Sequence, residues 1–479
     1  MSKTTLSFSR LLWSTCLGNF FEHYDTTLYA FLAPFLAPLI FPQADQITGL
    51  ILMYAIIPFG MLARPLGAFV FGYIGDNYGR QRALFFTLAG MSLVTGCIAL
   101  SPTYSQAGMI APLIFCLGRM VQNFFAAGEA MGGAIYLLEN SEEKKHDMLS
   151  SLYSASTIGG IILASAGVSL LGGFNAIEWG WRLLYLFGCI TALFGFIIRG
   201  QNSFLSYKPE FWVESKGYRA LDLSFRSEKN IKSICLKSER AKIGREIPLL
   251  SRRETQNSGY KAQIKPFAPL SDQFKIFFNY RKALFLIAIG SGFSYANYSI
   301  ALVLMNGFIP LVTPYTKNQM IRLNTMLLIF DFCLLPVFGY LSSKISREKV
   351  MLGASVGIGM TAIPLLNLLP QASFGSILFI RICLVTFGVI FCAPFHAWAQ
   401  NLVPAAHRFT ILSFGYALGS QIFGGPTVAL SLWIYKKTGM VSSLGWYWTA
   451  LAVLNILILT YSMKAKKRQS CVHESIPLI

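Results

Sequence analysis

Charged side chains are scarce in this 479-residue sequence: they make up 13% of it, whereas apolar residues make up 54%. Acidic residues are the scarcer sign, with 21 Asp and Glu against 40 Lys and Arg. Soluble globular domains carry about 25% charged residues, so this composition excludes an ordinary soluble domain. We therefore expect a polytopic membrane protein whose surface mostly faces lipid.

Other absences narrow the class further. The nine cysteines lack the CxxC spacing of metal or redox sites, and most of them lie in apolar runs. No nucleophile, base and orienting residue occur together, so we expect no enzymatic activity, no metal and no cofactor. The first apolar run is too long for a signal peptide and contains Glu22 and Asp25, so we expect the N-terminus to be retained.

Twelve stretches are long and apolar enough to cross ~30 Å of hydrocarbon as helices, which takes roughly 18 residues or more. The first six are residues 11–40, 47–74, 83–100, 109–138, 149–171 and 181–198. After a polar interval come residues 283–309, 320–341, 350–369, 374–402, 409–434 and 446–463. We predict an all-α membrane protein with twelve transmembrane helices in two six-helix bundles.

Basic residues predict the orientation of the chain. Most of the 40 Lys and Arg fall in alternate loops, in both terminal segments and in the interval 201–280. Cytoplasmic segments are enriched in Lys and Arg, so we place these parts in the cytoplasm. The net charge of +19 is then a topology signal, and we expect no nucleic-acid binding.

Four segments follow from this pattern. They are an N-terminal bundle (1–200), a basic cytoplasmic interval (201–280), a C-terminal bundle (281–463) and a short cytoplasmic tail (464–479). The interval is too polar to bury a core of its own, so we interpret it as a linker, with a regulatory or lipid-headgroup role as the alternative.

The two bundles repeat each other. VFGYIGDNYGRQR from Val70 aligns without a gap to VFGYLSSKISREK from Val337, and LIFCLGR ending at Arg119 matches ILFIR ending at Arg381. Parallel repeats of six spans are typical of transporters in which one bundle rocks against the other around a site near the midplane. A pore-type channel fits less well.

The residues around the first repeat carry a family resemblance. Glycines at the ends of helices allow close approach, and a carboxylate between them can accept hydrogen bonds at the N-terminus of a neighbouring helix. The loop resembles the signature of the major facilitator superfamily, and Arg119 with Gln122 resembles its fourth-helix motif. The residues that match the loop are Gly72, Gly75, Asp76, Gly79, Arg80 and Arg82. The resemblance implies that the loop gates the cytoplasmic side, with Asp76 as the latch carboxylate.

Within that superfamily the chain resembles the metabolite:proton symporters, which include proline/betaine, 2-oxoglutarate, shikimate and citrate carriers. Four stretches carry the resemblance: GNFFEHYD from Gly18, RPLGAFVFGYIGDNYGRQ from Arg64, RMVQNFFAAGEAMGGA from Arg119 and EWGWR from Glu178. Two departures stand out. His23 replaces the usual Trp, and the second-half loop has Ser343 and Ser346 in place of an acidic residue and a glycine. We therefore expect only the first-half loop to latch.

Several ionisable residues lie inside the predicted spans, where an ionised side chain costs about 2.5–3.5 kcal/mol and needs a partner or a function. Glu22 and Asp25 are three residues apart and share a helix face with Tyr29, whereas His23 should point about 100° away from Glu22 and pack in the core. The balance between two repelling carboxylates and nearby arginines is what a proton-coupling site requires. We assign proton coupling to Asp25, Glu22 and Glu129, and substrate binding or ion pairing to Arg64, Arg119 and Tyr29. For Arg381 and Asp331 a structural role is the favoured interpretation.

The resemblance implies a monomeric, proton-coupled importer of a small polar metabolite in a bacterial inner membrane, spanning the bilayer many times with both termini cytoplasmic. A zwitterionic osmolyte such as proline or betaine is the leading substrate. A dicarboxylate or related organic acid is the first alternative, and a transporter-like receptor that no longer transports is the second.

Overall fold

The computed structural model describes residues 8–174, 176, 178–190 and 270–474, which are almost entirely helical. The helices before the central interval, which we call the first half, are α1 (Phe8–Ile40), α2 (Gln46–Met61), α3 (Arg64–Tyr78), α4 (Arg80–Ala99), α5 (Tyr104–Ala107), α6 (Ile110–Glu139), α7 (His146–Gly173) and α8 (178–190).

The α-helices after the interval begin with α9 (Leu270–Asn279). The helices that we call the second half are α10 (Arg281–Tyr298), α11 (Met305–Val312), α12 (Lys317–Lys344), α13 (Arg347–Asn367), α14 (Phe374–Cys392), α15 (Phe395–Gln400), α16 (Arg408–Gly419), α17 (Thr427–Thr438) and α18 (Trp446–Glu474). Two π-helical turns, Ser299–Leu304 and Ser420–Gly424, join α10 to α11 and follow α16.

Side-chain caps explain where several of these helices begin. Asp45 precedes α2 and accepts a hydrogen bond from the Thr48 amide at 3.1 Å. Thr316 precedes α12 and forms a reciprocal capping box with Gln319. Such caps satisfy amide groups that a helix leaves without partners in its first turn.

The twelve predicted spans agree with these helices. Within the described residues, nine stretches have the length and apolar composition of membrane-spanning helices, and they coincide with nine predicted spans. Of the other three, 11–40 lies in α1, 181–198 begins in α8 and continues outside the described residues, and 409–434 lies in α16 and α17 with the break at Gly425 and Pro426 between them. The prediction of an all-helical membrane protein is confirmed.

The segment boundaries 1–200, 201–280, 281–463 and 464–479 stay predictions. Residues 201–269 of the predicted linker lie outside the described residues, and α9 forms its last part. α9 belongs to a separate compact unit, whereas the other described helices belong to one compact unit. α18 extends beyond residue 463 to Glu474.

The two halves pack against each other through α7 and α12, α3 and α16, and α2 and α17. Close approach of helices depends on glycine at two positions. A Cβ atom at Gly160 of α7 would lie 2.0 Å from the Phe20 carbonyl oxygen of α1, and one at Gly419 would lie 1.9 Å from that of Ala288 on α10. Small residues at such crossings bring backbones into contact, which is the usual basis of helix association in lipid.

Candidate functional site

A cavity of about 150 Å³ lies between the two halves, and its two walls differ in chemistry. The first-half wall carries the charged side chains Glu22, Arg64 and Arg119. The second-half wall is aromatic and neutral polar, and among the described residues it contributes no Asp, Glu, Lys or Arg. Its residues include Ser294, Tyr295, Tyr298, Phe395, His396 and Tyr416.

Glu22 lies between a histidine and an arginine. Its Oε2 atom is 2.8 Å from His23 Nδ1, and its Oε1 atom is 3.9 Å from Arg64 Nη2. Arg64 donates from Nε to Asn123 Oδ1 at 2.8 Å. The expectation that His23 points away from Glu22 is wrong, because the two side chains converge although their backbone positions differ by 100°. His23 lies on the cavity wall rather than in the core.

Arg119 is the second guanidinium on this wall. Nη1 donates to Gln122 Oε1 at 2.5 Å, and Nη2 donates to the Thr26 carbonyl oxygen at 3.0 Å. The guanidinium carbon lies 4.9 Å from the centre of the Tyr29 ring, within cation–π range. Arg119 Nε is buried and has no hydrogen-bond partner among the described residues. The hydrogen-bonding capacity of this N–H group is therefore unused by the described residues.

Asp25 is fully buried but does not line the cavity. Its Oδ2 atom accepts from Thr95 Oγ1 at 3.1 Å, and Thr95 Oγ1 in turn accepts from Gln122 Nε2 at 2.8 Å. A chain of hydrogen bonds thus runs from Arg119 through Gln122 and Thr95 to Asp25. The carboxylate also lies against α8, where a Cβ atom at Gly188 would be 2.1 Å from Oδ1.

Two other predicted site residues also lie away from the cavity. The Tyr29 hydroxyl donates to the Met53 carbonyl oxygen at 2.7 Å, so Tyr29 lies behind Arg119. The Glu129 carboxylate is fully buried and accepts from Thr87 Oγ1 at 3.4 Å, while its backbone carbonyl accepts from the Tyr153 hydroxyl at 3.2 Å. Tyr153 lines the cavity, so Glu129 is separated from the cavity by one side chain.

The loop between α3 and α4 contacts the start of α16 at the end of the bundle that we call the loop end. Asp76 Oδ2 accepts from the Thr410 amide at 3.0 Å and from its hydroxyl at 2.6 Å, which is the helix N-terminal contact expected for this carboxylate. Cβ atoms at Gly72 and Gly75 would lie 3.0 Å from Thr410 Cα and 3.2 Å from the Phe409 ring. Gly79 has φ of +102° and joins α3 to α4, which begins with Arg80 and continues through Arg82.

Further contacts that were not predicted from the sequence join the halves at the loop end. Arg347 of the second-half loop forms a two-pronged ion pair with Asp147 of α7, with Nε–Oδ1 and Nη2–Oδ2 distances of 2.6 and 3.0 Å. Arg408 Nη1 lies 2.9 Å from Glu139 Oε1. The alignment of Arg347 with Arg80 could have predicted the Arg347 contact. The prediction rested instead on Ser343, which stands in place of the loop carboxylate.

At the opposite end, which we call the Lys436 end, exposed charges join the halves. Lys436 Nζ lies 3.2 Å from Asp45 Oδ1 and also contacts the Thr48 hydroxyl. Hydrogen bonds from Thr48, and then Lys436, lower the pKa of the Asp45 carboxyl to about 2. Asp45 is therefore ionised throughout the physiological pH range.

Arg381 and Asp331, two buried charged residues of the second half, have different partners among the described residues. Arg381 is fully buried, and its partners in the described part of the chain are neutral oxygens: Asn324 Oδ1 at 2.5 Å, Asn306 Oδ1 at 3.2 Å, and the backbone carbonyls of Ala301 at 3.2 Å and Met320 at 3.5 Å. Its contacts join α11, α12 and the π-helical turn Ser299–Leu304. Asp331 accepts from the Tyr298 hydroxyl at 3.4 Å.

Comparisons with known proteins agree with this architecture. The family model described as "Sugar (and other) transporter" matches residues 11–473. The chain is 28% identical to the "Citrate-proton symporter" of Salmonella typhi over 91% of this chain and 89% of that protein. It is 25% identical to the "Proline/betaine transporter" of Salmonella typhimurium (strain LT2) over 95% of this chain and 83% of that protein.

A solved structure matches the fold. The xylose transporter XylE from E. coli superposes with a TM-score of 0.66 at 14% identity, covering 95% of this chain and 97% of that chain. XylE is a member of the major facilitator superfamily. The predicted family and the predicted fold of two six-helix bundles are therefore confirmed. With a family model that spans nearly its whole length, the chain belongs to the Sugar (and other) transporter family and is a multi-pass membrane transporter of the major facilitator superfamily, not an enzyme.

Proposed function

We propose that the chain is a proton symporter that imports a small zwitterionic metabolite of the proline/betaine type. The observation that carries this proposal is the difference between the two cavity walls, with guanidinium groups on one side and a neutral aromatic surface on the other. A molecule with a carboxylate at one end and an ammonium group at the other matches both walls.

On the first-half wall, Arg64 and Arg119 bind the substrate carboxylate. The unpaired Nε of Arg119 donates one hydrogen bond to it, since a guanidinium is the side chain best suited to a carboxylate. On the second-half wall, the aromatic faces of Tyr295, Tyr298 and Tyr416 accommodate the ammonium group through cation–π attraction.

An organic acid with several carboxylates is the second candidate, because a citrate–proton symporter is among the relatives. Such a substrate needs cationic groups on more than one side of the cavity. The described second-half lining offers only His396 as a group that becomes cationic by protonation, which favours the zwitterion. A receptor that does not transport is the third candidate.

The coupling proton binds at Asp25. The carboxylate is buried and connects to the substrate site through Thr95, Gln122 and Arg119, so a substrate that draws Arg119 toward the cavity changes the hydrogen bonds of Asp25. Glu22 lies at the cavity wall between His23 and Arg64 and tunes the site. Glu129 is the alternative proton carrier.

The loop Gly72–Arg82 gates the loop end, where Asp76 holds α16 against α3. We place this end and both termini in the cytoplasm of a bacterial inner membrane, with the protein acting as a monomer. In a variant without other cysteines, a cysteine introduced at Ser258 should resist impermeant thiol reagents added to whole cells, whereas one at Lys317 should react. The opposite labelling pattern would reverse the orientation.

Uptake into proteoliposomes tests the function. The panel is proline, betaine, 2-oxoglutarate, shikimate and citrate, each with and without an inward proton gradient. We expect gradient-driven accumulation of proline or betaine. Accumulation of citrate or 2-oxoglutarate alone would establish the organic-acid alternative, and no accumulation of any compound would favour the receptor.

A further inference from the structure

Asp331 of α12 is a buried carboxylate to which the proposed function gives no part. Its side chain is fully buried, and Oδ2 has no hydrogen-bond partner among the described residues. Oδ1 accepts from the Tyr298 hydroxyl of α10 at 3.4 Å. Tyr298 lines the central cavity, so a single hydroxyl group separates this carboxylate from the substrate site.

No cation balances Asp331 within the part of the chain that the structure describes. Its neighbours one turn away on α12 are leucines, α11 has no ionisable residue, and α7 has none between Tyr153 and its end at Gly173. On α14, Cys392 lies near Asp331. Arg381 of the same helix contacts α12 at Asn324, which is seven residues, or ~10 Å, from Asp331 along the helix. The ionisable residues of α13 lie in its first turn, at the loop end.

An ionised carboxylate without a counter-ion is costly inside a membrane, and a residue of this kind is expected to serve a function. Local backbone structure supports this. Tyr298 is the last residue of α10 before the π-helical turn Ser299–Leu304, and π-helical turns occur frequently at functional sites. Ser294 and Cys392, whose Oγ and Sγ atoms are 2.9 Å apart, extend the polar patch along the cavity wall beside Tyr298.

We propose that Asp331 is a second proton-binding site, loaded from the cavity through the hydroxyl of Tyr298. The Tyr298 hydroxyl transfers its proton to Asp331 Oδ1 and takes a proton from a hydronium ion in the cavity, which leaves as water. Tyr298 ends unchanged, and one proton has moved from the cavity to the carboxylate. The proposal rests on proton symport as the function, and it assigns a coupled proton to the second half in addition to that of Asp25.

Three variants test the proposal in proteoliposomes: Asp331→Asn, Tyr298→Phe and the control Tyr340→Phe. Tyr340 lies on the same helix as Asp331, but its side chain is 58% exposed and does not line the cavity. Each coupled proton supports about tenfold accumulation per unit of pH gradient, because one pH unit corresponds to a factor of ten in equilibrium. Asp331→Asn should therefore lower accumulation about tenfold at a gradient of one pH unit, while substrate exchange without a gradient stays within about twofold of wild type.

Tyr298→Phe leaves the carboxylate in place and removes only the relay hydroxyl. It therefore still tests the proposal if Asp331→Asn does not fold. We expect gradient-driven uptake to slow about tenfold in Tyr298→Phe and to stay unchanged in Tyr340→Phe. The second site alone would be overturned if Asp331→Asn had the accumulation and pH profile of wild type, or if the two tyrosine variants had equal rates of gradient-driven uptake. A wild-type protein that does not respond to the gradient would overturn the proposed function together with this site.

Discussion

The substitution Asp25→Asn tests the proton site of the first half with little change in shape. An asparagine oxygen can still accept from Thr95 Oγ1, so the chain from Arg119 keeps its geometry. Only the new amide group lacks an obvious acceptor, and one unsatisfied hydrogen bond costs about 1–3 kcal/mol. We expect the variant to fold and to bind substrate.

Loss of the proton should affect energetics far more than binding. A coupled proton contributes about 1.4 kcal/mol per unit of pH gradient, which is a factor of ten in accumulation. At an inward gradient of one unit, Asp25→Asn should reach at least tenfold less internal substrate than wild type. Exchange of substrate across a membrane without a gradient should continue, with weaker dependence on pH.

The assay measures gradient-driven uptake and zero-gradient exchange in the same proteoliposomes between pH 6 and 8, a range of about two units around neutrality. Glu22→Gln is the companion variant. Because Glu22 contacts His23 and Arg64 at the cavity wall, Glu22→Gln should shift the pH profile of uptake without abolishing accumulation. If Asp25→Asn accumulates substrate as wild type does, with the same pH profile, the assignment is wrong and Glu129 becomes the next candidate.

Other substitutions probe separate contacts. Gly188→Ala places a methyl group 2.1 Å from Asp25 Oδ1 and should reduce accumulation at least as severely as Asp25→Asn; Gly353→Ala, which meets nothing within 4 Å, should retain wild-type uptake. Asp76→Asn weakens the cap on α16 and should lower transport several-fold. Ser343→Ala should leave transport unchanged, because the Ser343 hydroxyl donates to a carbonyl oxygen of its own helix. Arg347→Gln removes a paired guanidinium worth about 1.5–3 kcal/mol and should raise thiol labelling of cysteines placed at the loop end; unchanged labelling would contradict a closing role.

The fold follows from the sequence because long apolar runs in a bilayer have few alternatives to helices. The bounds of residues 47–74, 83–100 and 374–402 agree closely with the helices found there. The π-helical turns Ser299–Leu304 and Ser420–Gly424 were not predicted, since they depend on packing between helices rather than on any local residue pattern.

The site was harder to predict than the fold. Charge and position identified Glu22, Arg64 and Arg119, which all line the cavity. Spacing could not show that Asp25 turns away from it. Residues three apart on a helix differ by about 60° in direction, which is enough for one to face the cavity and the other to face α4 and α8.

The loop of the second half contacts the first half in a way that the repeat did not predict. Loss of an acidic residue at Ser343 suggested that its loop had lost its contact with the first half. The structure has a contact in which the loop supplies the cation, Arg347, and the first half supplies the anion, Asp147. The carboxylate therefore lies on the loop in one repeat, as Asp76, and on the facing helix in the other, as Asp147, which residue-by-residue alignment of the halves does not detect.

The contacts at the two ends of the bundle differ in exposure. The side chains of Lys436 and Asp45 are 43% and 62% exposed, whereas those of Arg347 and Asp147 are 16% and 10% exposed. Dissolved ions screen exposed pairs strongly and partly buried ones much less. We therefore expect higher ionic strength to weaken the contact at the Lys436 end first and to favour a conformation that opens there, with no change in substrate or proton concentration.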